Sequence, residues 1–157
     1  MVSTLGQMEE LVPQYDTVLA HGLVLTMDAD YTLIPDGAVA IVGNQIAAVG
    51  PTDALLDGAS VDQIVHCRGT AVMPGLINAH THVPMTLLRG LADDLRLDVW
   101  LHGYMMPVER EFVDSDFCRL GTRLACAEMI RSGVTCFADM YYYEEDIAAT
   151  AADVGMR

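Results

Sequence analysis

Basic residues are scarce in this sequence: eight Lys and Arg stand against 22 Asp and Glu, for a formal charge of −14. A chain with so little positive charge lacks the basic face that phosphate binding needs, which argues against a nucleic-acid partner and against an anionic membrane surface. The acidity itself reads as a solvated exterior. Long apolar runs are also missing. None approaches the roughly 20 residues of a membrane span, and Met1–Gln14 carries neither a basic n-region nor a long apolar stretch, so no secretory signal is expected. None of the four cysteines, Cys67, Cys118, Cys126 and Cys136, forms a C-x-x-C pair. That gives no indication of a cysteine zinc site or a redox motif, and leaves buried, reduced thiols in a cytoplasmic protein as the expectation. There is no internal repeat or low-complexity tract.

What is present is apolar enough to fold. Hydrophobic residues make up 52% of the 157 positions, which permits a packed core and makes disorder a poor reading. Residues 1–69 read as short strands and turns. Tyr15–Ala20 is a strand, His21-Gly22 a turn, Leu23–Met27 a strand, and Asp28–Asp30 and Pro35-Asp36-Gly37 two further turns. Ala38–Val42, the turn Gly43-Asn44 and Gln45–Gly50 continue an antiparallel meander. Thr52–Leu56 suits a small helix, and Val61–Cys67 one more strand.

The pattern changes near Gly69. From Thr70 to Ala79 the chain is continuously apolar, as in a strand of a parallel sheet buried on both faces. A long connection, residues 83–115, holds a helix around Asp98–Tyr104 that is expected to stop before Pro107. Asp116–Ser132 is the clearest helix, with Phe117, Leu120, Gly121, Leu124, Ala125 and Glu128 on one stripe, Asp114 or Ser115 as its cap and Gly133 as its stop. Val134–Tyr141 is a second buried strand and Glu144–Val154 a second helix. Strand, crossover, helix, strand, helix is the beginning of a parallel α/β array, with residues 70–157 as its start. Two parallel strands cannot close a barrel or cover a sheet, so the chain is expected to be the N-terminal piece of a larger protein.

Chemistry concentrates in His80-Thr81-His82, at the polar end of the first buried strand. Residues i and i+2 of a strand point to one side, about 7 Å apart. Two imidazoles so placed can lean onto one metal ion at about 2.0–2.1 Å each. Taken alone, a His-x-His is a weak signal, and a pair of hydrogen-bonded histidines near the surface is the plain alternative.

The segment Pro74-Gly75-Leu76-Ile77-Asn78-Ala79-His80-Thr81-His82 resembles the first barrel strand of the amidohydrolase superfamily. Asp36-Gly37 and Gln45–Gly50 are similar to the first half of the small β-sandwich that flanks the barrel in many of those enzymes. Pro84–Asp94, Trp100-Leu101, Pro107-Val108-Glu109, Ala127–Ile130 with Ser132-Gly133, and Ala138–Tyr141 resemble its deaminase and chlorohydrolase branch, and within it the deaminases of adenine nucleosides. The resemblance implies an α/β fold: half a β-sandwich over 1–69, then the first β/α units of a TIM barrel over 70–157.

It also implies a metal-dependent aminohydrolase whose cofactor is Zn2+ or another divalent transition metal, with His80 and His82 as two of its ligands. Hydroxide formed near neutral pH would attack the amino-bearing carbon of a purine and expel ammonia. The remaining ligands and the general acid/base would come from later strands, so no catalytic residue is expected within these 157 positions and the chain alone is expected to be inactive. By the same resemblance Trp100 lies against the nucleoside, where a flat indole suits a flat base, or else is an ordinary core aromatic. Glu109 accepts hydrogen bonds from ribose hydroxyls, or else is a solvated member of Glu109-Arg110-Glu111. Arg89 anchors its loop, Asp139 orients the site or its packing, Tyr141-Tyr142-Tyr143 edges the cleft or else packs, and His21, His66 and His102 are not ligands. The full-length enzyme is expected to be a cytoplasmic homo-oligomer acting on a small purine nucleoside such as methylthioadenosine or S-adenosylhomocysteine. Guanine, a triazine or another N-heterocycle is the alternative substrate, and a non-catalytic fragment the alternative of a different class.

Overall fold

The protein is described by a computed structural model over residues 12–157. The reading of Met1–Gln14 as free of a leader falls, up to residue 11, outside the described residues. The chain divides after Pro74 into two compact units. Among the described residues no helix is long and apolar enough to cross a membrane.

The first unit is one five-stranded sheet. β1 (Gln14–Leu25) pairs antiparallel with β2 (Leu33–Val42), and β2 with β3 (Gln45–Pro51), through the turn at Gly43-Asn44. A short helix, α1 (Thr52–Leu56), follows. The meander stops there. β4 (Ser60–His66) and β5 (Ala71–Val72) both run parallel to β1, one after the other along its second edge, where an antiparallel meander was expected. Val18, Ala20, Gly22 and Val24 of β1 face inward at a strand's period of two. Val18 and Ala20 close on Ala38 and Ala40 to make the core.

Two expected turns are not turns. His21-Gly22 lies inside β1 and Pro35-Asp36-Gly37 inside β2, with Gly22 opposite Gly37 and the register slipping on both sides. The extra residue is taken up at His21, whose φ is 63°. The bulge is held by polar groups: His21 Nδ1 lies 3.0 Å from Asp36 Oδ1, and the His21 N–H donates to Thr52 Oγ1. Gly37 is needed for close approach, since a Cβ there would lie 2.6 Å from Val24 Cγ2. Gly, Asp and Pro serve a bulge for the same reasons they serve a turn, so local chemistry does not separate the two.

The apolar run from Thr70 is likewise divided. β5 belongs to the first sheet, while β6 (Leu76–Thr81) begins after Pro74-Gly75 and pairs parallel with β7 (Val134–Asp139). β6 is not buried on both faces: Leu76 is 49% and Ile77 70% exposed. Burial of such a strand requires flanking strands, and β7 is its one partner among the described residues.

Between β6 and β7 runs a 3-10 segment, Val83–Leu88, and then a helix expected to end before Pro107 that instead continues through it. α2 (Leu97–Val99) passes into a π turn, Trp100–Met105, and on into α3 (Met106–Phe112). The proline sits in the first turn of α3, directly after the widened π turn, where its missing N–H and its ring disturb least.

α4 (Ser115–Arg131) has the expected cap and stop. Asp114 Oδ1 accepts from the Phe117 N–H at 2.8 Å, and Gly133 takes φ 79°. Its buried face differs from the apolar stripe: Cys118, Gly121, Thr122, Ala125 and Cys126 are buried, whereas Leu120 is 60% exposed. At Gly121 that face lies directly on the Pro84 backbone, where a larger side chain has no room. The core is Val83, Cys118 and Ala125 with Ile147 of α5 (Glu144–Asp153). Asp114→Ala removes one cap bond and is expected to lower stability by about 1 kcal/mol, measured by denaturant unfolding at neutral pH; an unchanged midpoint would show that solvent replaces the carboxylate at no cost.

Candidate functional site

β6 and β7 carry their polar residues at their C-terminal ends, where parallel α/β arrays place their chemistry. His80 is the penultimate residue of β6, and His82 is the first residue past its end. The ladder slips between Asn78 and Thr81. The two rings still meet, with centroids 5.4 Å apart and planes at 83°. At that separation one ion can reach a nitrogen of each.

His82 is oriented by the chain itself. Its Nδ1 lies 2.5 Å from the Met140 carbonyl oxygen, which accepts only from a protonated nitrogen. Nδ1 therefore carries a proton, which in the neutral imidazole leaves the lone pair on Nε2, the tautomer a ligand needs. The main chain after His82 is fixed too: the Val83 N–H donates to Asp139 Oδ1 at 2.9 Å. Asp139 Oδ2 is buried without a hydrogen-bond partner among the described residues. Burial pushes this carboxyl above its usual range, against the pull of the Val83 N–H. These donors suit a divalent ion of intermediate softness such as zinc. Among the described residues no third His, Cys, Asp or Glu joins the pair.

Beside His82 opens a cleft of about 330 Å³. Its walls include Met85 from the 3-10 segment, Trp100 on the π turn, Met105, Glu109 on α3 and Tyr141 after β7. The fold thus brings His82, Trp100 and Glu109 to one cavity, while His80, whose ring meets that of His82, does not line it. Glu109 is half-buried, and its Oε1 accepts from the Tyr141 hydroxyl at 2.9 Å. Burial first, and then this bond, push the Tyr141 phenol far above its usual range, so it remains a proton donor.

Arg89 does not reach the cleft wall; its guanidinium grips both oxygens of Glu128 on α4, at 3.1 and 2.7 Å, and so anchors the loop. His102 is exposed, and His21 belongs to the bulge of the first sheet. Sequence reasoning gave no role to Met140 and left Tyr141 between a cleft edge and packing. The available signal was position: both follow directly on a strand's C-terminal end.

Residues 71–157, more than half of the chain, match the amidohydrolase family. This chain belongs to that family. The amidohydrolase is 49% identical over 142 residues to the 5-methylthioadenosine/S-adenosylhomocysteine deaminase of Syntrophobacter fumaroxidans, which is 90% of this chain and 32% of that protein. It is 44% identical to the 5'-deoxyadenosine deaminase of Methanococcoides burtonii over the same shares. In three dimensions it superposes on an adenosine deaminase from Xanthomonas campestris with bound zinc, at a TM-score of 0.89 and 40% identity, covering 93% of this chain and 33% of that one. The amidohydrolase chain therefore spans about a third of the length of these relatives. Its mixed α/β architecture is that of the N-terminal part of an amidohydrolase TIM-barrel enzyme.

Proposed function

We propose that this chain is the N-terminal part of a cytoplasmic, metal-dependent aminohydrolase that deaminates an adenine nucleoside of the methylthioadenosine or S-adenosylhomocysteine type. The observation that carries the reading is the coincidence of a ligand-competent pair, His80 and His82, with a cleft bearing one indole and one carboxylate. The deaminase relatives named above, and the zinc in one of them, support it. Four unpaired cysteines agree with a reducing compartment.

His80 and His82 would hold zinc, or another divalent transition metal, together with ligands from later strands. When bound, such an ion supplies hydroxide near neutral pH by acidifying water. The residues of this chain do the binding and orienting. The Met140 carbonyl holds the His82 Nδ1 proton so that Nε2 stays available. Trp100 offers a flat apolar face to the base, and the neighbouring methionines keep that end of the cleft dry. Glu109 accepts the ribose hydroxyls, a pairing that a free base cannot satisfy.

A panel of adenine nucleosides, adenine, guanine and a triazine, read by ammonia release from the complete enzyme, tests this. A hydrogen bond to a charged group contributes about 1.5–3 kcal/mol, so nucleosides should exceed adenine in kcat/KM by roughly 10–100-fold. Preference for free bases or triazines would remove the nucleoside assignment and the role given to Glu109.

A further inference from the structure

Glu109 sits on α3 and Tyr141 in the β7–α5 loop, 32 positions apart, yet they share a 2.9 Å hydrogen bond at the cleft wall. Tyr141 is itself held on several sides. Its backbone N–H donates to the Glu144 carboxylate, its ring packs 5.1 Å from that of Tyr142, and Tyr143 behind it takes φ 57°, turning the chain into α5. The same loop supplies the carbonyl of Met140 that orients His82. One short segment therefore reaches both the ligand pair and the carboxylate at the other end of the cleft.

A lone glutamate on a helix surface samples many rotamers, and accepting two vicinal hydroxyls requires one of them. Donation from Tyr141 to Oε1 selects that rotamer before substrate arrives. Oε2 carries no hydrogen bond among the described residues, which leaves its acceptor capacity for a ligand.

We propose that Tyr141 is a positioning residue that sets the enzyme's selectivity for ribose by holding the Glu109 carboxylate against the cleft. The inference rests on the nucleoside reading above and goes beyond it by naming what makes Glu109 selective. Pre-organisation of this kind strengthens binding by removing an ordering cost, so its loss appears in KM more than in kcat.

The test compares an adenine ribonucleoside with its 2',3'-dideoxy counterpart in the complete, metal-loaded enzyme. Tyr141→Phe keeps the ring and deletes the donor. It is expected to lower the ratio of the two kcat/KM values by about 10-fold, chiefly through KM of the ribonucleoside. Glu109→Gln is expected to abolish the preference, and the double variant to lose no more of the ratio than Glu109→Gln alone. If Glu109→Gln abolishes the preference while Tyr141→Phe leaves it intact, or lowers both substrates equally, the positioning role is wrong and the nucleoside reading stands. If wild type shows no preference, or Glu109→Gln leaves it untouched, both fall together.

Discussion

Replacing His82 with alanine in the complete enzyme is expected to cut kcat/KM by at least about 10³-fold and to strip most of the bound metal. Zinc held by protein ligands is bound by roughly 10–16 kcal/mol in structural sites. Shared over about four ligands, one imidazole carries on the order of 2.5–4 kcal/mol, or about 10²–10³ in affinity. Turnover falls further, because ions that remain are held in the wrong geometry. His80→Ala should empty the site as thoroughly. The two variants should differ in KM. His82 also donates to Met140, so its removal frees the loop that carries Tyr141 and should weaken substrate binding, whereas His80 lies outside the cleft wall. Metal content by elemental analysis and steady-state kinetics read both effects. Stoichiometric metal with near wild-type turnover in either variant would show that the pair is not a ligand set.

That pair was the most legible part of the site, and the reason is local. Residues two apart in a strand share a side, so a His-x-His at the polar end of an apolar run carries its geometry in its spacing. The two rings lie together, centroids 5.4 Å apart, even though His82 lies one residue beyond the strand and the ladder slips beside it. Trp100 and Glu109 were legible by resemblance alone, and the structure brings both to the cleft of His82. The bonds that organise them were not legible. Glu109–Tyr141 and His82–Met140 join positions 32 and 58 apart, and no periodicity encodes such a distance.

The fold shows the same division. α4 was readable to within a residue, because an aspartate cap and a stopping glycine act locally. Its buried face was misread because Leu120 and Leu124 look like core, whereas the helix turns Gly121 onto the Pro84 backbone, where only a small residue fits. Pro35-Asp36-Gly37 was misread because turn chemistry and bulge chemistry are alike, and the pairing partner decides between them. The parallel seating of β4 against β1 depends on a crossover of the chain that no single strand announces.

Gly121→Ala puts the close seating of α4 to a direct test, since two known effects act there with opposite sign. Inside a helix, alanine is favoured over glycine by about 1 kcal/mol. Against that, a Cβ at position 121 would lie 2.7 Å from both the Cα and the carbonyl oxygen of Pro84 and 3.1 Å from its carbonyl carbon. These are backbone atoms and cannot swing aside as a side-chain tip can. Overpacking of this kind costs about 1–3 kcal/mol and more where the backbone must move. Against backbone atoms the upper part of that range applies and the clash should win, for a net loss of up to about 2 kcal/mol. The displaced segment begins two residues after His82 and is tied through the Val83 N–H to Asp139, so the shift should reach the ligand pair. Metal affinity and kcat/KM should fall along with the unfolding midpoint. Gly103→Ala supplies the control, since its nearest neighbour outside the local backbone is Val99 Cγ1 at 4.0 Å. Relieved of any clash, that substitution should raise stability by about 0.5–1 kcal/mol. If both glycines respond alike, helix propensity alone governs them and the tight contact between α4 and Pro84 does not position the site.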